Sequence, residues 1–132
     1  NAGLFVAVAA AGGVGAALRF VVDAAVRARW PVATPGGRVW PLGILVVNLT
    51  GSLALGVVTG LTLHRGPGDL AVVLGTGLLG GYTTFSTASV DAVLLAREGS
   101  HATAVRYVVA TVTGCLLAAG AGLALGLWLS PG

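Results

Sequence analysis

The residues able to do chemistry are gathered in one stretch, 80–89, which reads GGYTTFSTAS. The glycine pair Gly80 and Gly81 opens it; five hydroxyl side chains (Thr83, Thr84, Ser86, Thr87, Ser89) and two aromatics (Tyr82, Phe85) follow. A hydroxyl becomes a nucleophile only beside an activating base. No acidic residue sits beside a serine or histidine at a nucleophile spacing, and no phosphate-binding loop or dinucleotide fingerprint is present. The chain is therefore not expected to be an enzyme. What remains suits ions. Gly80 and Gly81 can interrupt a helix, and the carbonyls freed at the end of its first half can coordinate a cation such as Na⁺. The N–H groups that open the second half favour an anion. The hydroxyls of Ser86 and Thr87 and the amide of Asn48 can donate to an anion, and Phe85 presents a ring with an electropositive edge. A small, strongly hydrated anion needs several such donors to replace its water.

The elements that position this stretch are apolar. Its flanks, 70–79 and 90–96, are hydrophobic runs that together with it are long enough to cross a bilayer. Only 8% of the residues are charged and 56% are hydrophobic, against about 25% charged in soluble domains. The expectation is an all-α membrane protein: one domain, 1–132, with four transmembrane helices at about 4–26, 42–63, 70–96 and 103–129. A polar, glycine-opened segment at mid-membrane depth is tolerated only where it faces protein or a water-filled cavity. The 22 glycines then read as close helix contacts rather than loops. The first apolar stretch has no basic leader and is too long for a signal core, so it reads as a span. The net charge of +3, carried by arginine without lysine, is too small and scattered to indicate nucleic-acid binding, and the one cysteine, Cys115, lies in an apolar run.

Along the first span, Gly12, Gly13 and Gly15 are small contact residues, and Arg19 and Asp23 follow at i,i+4 spacing. Arg19 either snorkels or pairs at the interface, or faces a vestibule and attracts anions. The connection 27–40 is a loop with Trp30 and Trp40 at its ends, as interfacial tryptophans commonly stand. In the second span, Asn48, Ser52, Gly56, Thr59 and Gly60 recur every three or four residues. This stripe suits helix packing and pore lining equally. His64 and His101 fall on opposite sides of the membrane in this topology, which leaves a metal site built from histidines unsupported. In the fourth span, Tyr107 and Thr111 are i,i+4 neighbours that could continue a polar track, before the seam of Gly114, Gly120, Gly122 and Gly126.

With four spans, the side of the first and third connections holds Arg27, Arg29, Arg38, Arg97 and Arg106, with Arg19 close by, whereas the opposite side holds only Arg65. The bias places the first and third connections in the cytoplasm and both termini outside.

Three motifs resemble the Fluc/CrcB fluoride channel family: GGVGAALRF (12–20), NLTGS (48–52) and GLLGGYTTFST (77–87). The resemblance covers essentially the whole chain. It implies a passive, fluoride-selective channel that exports cytoplasmic fluoride and reduces its toxicity, in the inner membrane of a bacterial cell. It also implies a third helix broken at mid-membrane, and an antiparallel dimer of the dual-topology type enclosing two pores. Carried over residue by residue, the fluoride pore would be lined by Asn48, Phe85, Ser86 and Thr87, with Tyr107 and Thr111 matching polar positions of the fourth span. The backbone carbonyls of Gly80 and Thr83 would hold a structural Na⁺ at the dimer interface, and Arg19 would stand at a vestibule or the membrane interface.

One position departs from the family pattern. A second aromatic usually follows TTFST, and here that residue is Ala88, which offers no ring edge to an anion. A homodimer with antiparallel subunits also requires each chain to insert both ways, and the arginine bias opposes this. Both features are met if the chain forms one half of a heterodimer with a related subunit of opposite orientation. Two other classes compete. A small dimeric multidrug-type transporter needs an acidic residue inside the membrane, and Asp23 and Asp91 lie toward helix ends. A non-conducting structural subunit is motivated by Ala88.

Overall fold

The computed structural model describes residues 1–130, which contain four long apolar helices and no β-strand. These are α1 (Ala2–Arg29), α2 (Leu42–Thr62), α3 (Asp69–Arg97) and α4 (His101–Leu129), each long and apolar enough to cross a membrane. The chain is a multi-pass membrane protein. Asn1 caps α1 by accepting from the Gly3 N–H at 3.1 Å, and the last turn of α1 carries Arg27 and Arg29, cations at the helix end whose dipole favours them.

The connection between α1 and α2 folds back on itself, with Ala33 bridged to Val39 around Gly37, whose φ of +80° needs glycine. Arg38 forms an ion pair with Glu98, and Thr34 Oγ1 donates to the same carboxylate at 3.4 Å. The first and third connections are thereby tied together. At the membrane-facing surface, Phe5, Phe20, Leu116, Leu117 and Trp128 are exposed, as expected where lipid tails replace water.

The helices meet through glycine. In the α2–α4 seam, a Cβ added at Gly56 would strike the Ala119 carbonyl, and one at Gly122 would strike the Leu53 carbonyl. α1 meets α3 the same way: Gly15 lies against the Leu78 carbonyl, and Gly81 against the backbone of Gly12. Such contact lets backbones approach closely and pack tightly where no hydrophobic driving force exists. The stripe on α2 is thus divided. Gly56 and Gly60 are packing positions, while Asn48 and Ser52 belong to the site described below. A small core of Ile44, Ala88, Leu95, Ala104 and Tyr107 joins α2, α3 and α4 at one end.

α3 is the irregular helix. A helical turn, Asp69–Val72, leads into a π-helical stretch, Val73–Leu79, and a further turn, Gly80–Tyr82. Thr83 (ψ 156°) and Thr84 (φ −148°, ψ 120°) are then extended, and helix resumes over Phe85–Arg97. The departure from helical geometry therefore does not fall at Gly80 and Gly81, where the sequence suggested it. Gly80 is helical at φ −62°, ψ −38°, and Gly81 serves the close approach to α1 instead. Taken as a whole, α3 is bent by only 20°.

Candidate functional site

Two extended residues inside a membrane helix leave backbone groups without their usual i→i−4 partners, and no bulk water is there to satisfy them. Asn48 on α2 supplies the answer for Thr84. Its Oδ1 accepts from the Thr84 N–H at 2.9 Å, and its Nδ2 donates to the Thr84 carbonyl at 2.9 Å. The carboxamide pairs with Thr84 as a neighbouring strand would. Both residues are buried, at 7% exposure each. Asn48 was expected to present its amide to an anion; here one N–H and the oxygen are committed to backbone, and one N–H remains.

Thr84 is also the N-cap of the second half of α3. Its side chain accepts from the Thr87 N–H at 3.2 Å, satisfying one of the free donors of a helix start. The same hydroxyl donates to Thr87 Oγ1 at 3.1 Å and lies 3.3 Å from Ser86 Oγ. Thr84 was read only as one hydroxyl among five. The signal for its larger role was the Thr84–Thr87 spacing ahead of an apolar run, which is that of a capping residue and its N3 partner.

Two recesses flank this junction. One, about 260 Å³, is lined by Asn48, Ser52, Thr83, Thr84, Phe85, Ala88, Thr111 and Cys115, among others. The other, about 390 Å³, lies between α1, α2 and α3 and is lined by Arg19, Phe20, Asp23, Ile44 and Thr87. The predicted residues are thus gathered into two groups: Asn48, Phe85 and Thr111 in the first, Arg19 and Thr87 in the second. Ser86 reaches the junction through its contact with Thr84. Ser52, from the stripe read as suiting packing and pore lining equally, joins the first recess, and so does Cys115, which was not expected there.

Tyr107 lies in neither recess. Its ring is 1% exposed, packed edge-on against Trp40 at 5.3 Å between centroids, and its hydroxyl has no hydrogen-bond partner among the described residues. Thr111 does not extend a side-chain track to it either, since its hydroxyl donates to the Tyr107 backbone carbonyl at 2.8 Å. Asp91, placed toward a helix end by the sequence, has Oδ2 buried and unpartnered.

The i,i+4 pairing open to Arg19 and Asp23 does not form. Asp23 accepts instead from Arg27 Nε at 2.8 Å, and Arg19 donates to the Thr83 carbonyl at 3.3 Å. Arg19 therefore keeps a guanidinium without a carboxylate partner at the edge of the second recess. At Gly80, the helical donor to its carbonyl would be the Thr84 N–H, which Asn48 has taken. Neutral carbonyls of this kind are hard oxygen donors suited to a hard cation. Gly80 fits such a role, and at Thr83 Arg19 occupies one direction of the carbonyl.

Comparison with known proteins places these features in context. Residues 6–123 match the family model described as CrcB-like protein, Camphor Resistance (CrcB). A protein of Leifsonia xyli named fluoride-specific ion channel FluC 1 is 48% identical over 124 residues, covering 93% of this chain and 83% of the relative. One of Symbiobacterium thermophilum with the same name is 45% identical over 92% of this chain and 96% of its own length. The fluoride-specific ion channel FluC of Paracoccus denitrificans is 43% identical over 92% and 93% respectively.

Proposed function

Because the chain belongs to the CrcB-like family, we propose that it is a fluoride-specific ion channel through which cytoplasmic fluoride leaves a bacterial cell across the inner membrane. The observation that carries the reading is the Asn48–Thr84 clamp. It holds a row of hydrogen-bond donors open inside a membrane-spanning helix, beside two recesses. A fluoride ion would meet the unpaired Arg19 guanidinium and the Thr87 hydroxyl in one recess. In the other it would meet the remaining Asn48 N–H and the Phe85 ring edge, while Thr111, whose proton goes to the Tyr107 carbonyl, lines the wall. These are fixed donors in a site of low dielectric, where they replace hydration without reorganising. Ser86 supports this set through its hydrogen bond with Thr84. Tyr107, which the family pattern would add, serves packing in the isolated chain.

Phe85 is 88% exposed in the middle of α3, beside polar groups. That surface suits a second subunit better than lipid. We infer an antiparallel dimer, with itself or with a related subunit of opposite orientation, in which the interruption at Thr83 and Thr84 is the family's mid-membrane helix break. The carbonyls of Gly80 and Thr83, with their counterparts in the partner, would hold a structural Na⁺, whose charge would stabilise the converging carbonyl dipoles. One specific observation favours a second reading. The buried, unpartnered Asp91 oxygen is what a proton-coupled multidrug-type transporter would require.

Fluoride efflux from proteoliposomes, followed with a fluoride electrode and with chloride as comparison, tests the proposal. Rapid fluoride loss with negligible chloride loss is expected, and Asp91→Asn should leave it passive. Absence of fluoride loss, or efflux that requires a proton gradient, would overturn the channel reading. Ala88 is 8% exposed and also borders a recess of about 310 Å³ beside Phe85 and Val108, which has room for a ring. Ala88→Phe is therefore expected to raise fluoride efflux severalfold; unchanged or lower efflux would remove Ala88 as the limiting residue. For orientation, a C-terminal reporter should be active outside the cytoplasm; cytoplasmic activity would reverse the topology drawn from the arginines.

A further inference from the structure

We propose that Thr84 is a positioning residue that commits the Thr87 hydroxyl to act as a donor toward the Arg19 recess; this rests on the channel reading. A threonine hydroxyl has one proton and two lone pairs. Thr84 sends its proton to Thr87 Oγ1 and accepts the Thr87 N–H on one lone pair. Ser86 Oγ, at 3.3 Å, then has to be the donor in its contact with Thr84, on the second lone pair. The chain of hydroxyls is directed, from Ser86 through Thr84 to Thr87. Thr87 Oγ1, already accepting from Thr84, keeps its own proton, which finds no acceptor among the described hydrogen bonds. Thr87 also lines the recess that holds Arg19. The directed chain thus ends on a free proton beside an unpaired cation, and both favour a small anion. Asn48 fixes the origin of the chain by clamping the Thr84 backbone.

The test is a double-mutant cycle on the full-length protein in proteoliposomes. Thr84→Val removes the hydroxyl with little change in shape, and Thr87→Val removes the terminal donor. Each is expected to lower fluoride efflux about tenfold, the scale of one hydrogen bond to an ion. The double variant should be no slower than Thr87→Val alone, because Thr84 acts through Thr87. Thr84→Ser should restore efflux to near the wild-type rate. If Thr84→Val is not recovered folded by gel filtration, Thr84→Cys, a weak donor of similar size, takes its place in the cycle. Multiplying losses in the double variant would overturn the proposal and reduce Thr84 to a helix cap. Full efflux by Thr84→Val would overturn it as well. A wild-type protein that moves no fluoride would bring down the channel reading and this proposal together, whereas the cycle alone decides the role of Thr84.

Discussion

Asn48→Leu is expected to abolish fluoride efflux and to destabilise the protein severely. The side chain is of similar size, but it deprives the Thr84 N–H and carbonyl of their partners at once. A buried polar group left unpaired costs about 1–3 kcal/mol, and at membrane depth no bulk water replaces the lost partner. Losing both partners would therefore cost about 2–6 kcal/mol, a large share of a typical folding stability of about 5–15 kcal/mol. The second half of α3 would also lose the anchor that sets its starting point, and with it the placement of Phe85, Ser86 and Thr87. Gel filtration after a temperature ramp reads the stability, and the fluoride electrode reads the flux. Asn48→Ser is informative beside it. Its hydroxyl is too short to span both backbone groups, so flux should fall strongly while some folded protein survives. A folded Asn48→Leu protein with wild-type efflux would show that the clamp is dispensable.

The second large effect is expected on α4, where Gly122, inside the α2–α4 seam, and Gly120, outside it, should behave oppositely. Gly122→Val drives a branched side chain into the backbone of α2 at Leu53 and Val57. Backbone cannot rotate aside as a side chain can, so the helices must separate along the seam. Overpacking of this kind costs about 1–3 kcal/mol or more. In a chain of this size that corresponds to a fall in melting temperature of about 5–15 °C. Gly120→Val, on the same helix, meets nothing within 4 Å and should leave the melting temperature within a degree or two. Melting both variants in detergent checks the pair. Equal effects would mean that glycine is needed here for something other than contact with α2.

The legible parts of this chain were those that depend on composition and period. Four apolar stretches gave the helices, because the length needed to cross a bilayer and the lack of charge are both local properties. The importance of 80–89 was legible for the same reason: a run of hydroxyls inside an apolar span has to be accommodated somewhere. The position of the irregularity was not. Gly80 and Gly81 looked like the place where α3 would lose its helical form, because glycine tolerates such a change. Which tolerance is used depends on the neighbour, and Gly12 of α1 lies against Gly81. The interruption moved to Thr83 and Thr84, where Asn48 could satisfy the backbone. Likewise, the spacing of Arg19 and Asp23 permitted a pair, but Arg27 lies one turn further on and takes the carboxylate. Tyr107 and Thr111 shared a helix face by spacing, yet the orientation of that face was set by Trp40 and the small core around Ile44 and Leu95. Nothing in a single sequence reports which of two suitable partners a side chain will meet.

The tie between the first and third connections separates the charge of the nascent chain from that of the folded protein. Five arginines lie on that side in the sequence, and all five bear on the chain as it enters the membrane, before tertiary contacts exist. After folding, Arg27 is neutralised by Asp23 and Arg38 by Glu98, leaving Arg29, Arg97 and Arg106 without an acidic partner among the described residues. The orientation signal is therefore strongest while it is needed and partly erased afterwards. Substituting Glu98 would change the folded surface with little influence on which way the chain inserts, whereas removing Arg38 would alter both. A record of how the protein was assembled persists in its sequence, although the finished molecule no longer displays all of it.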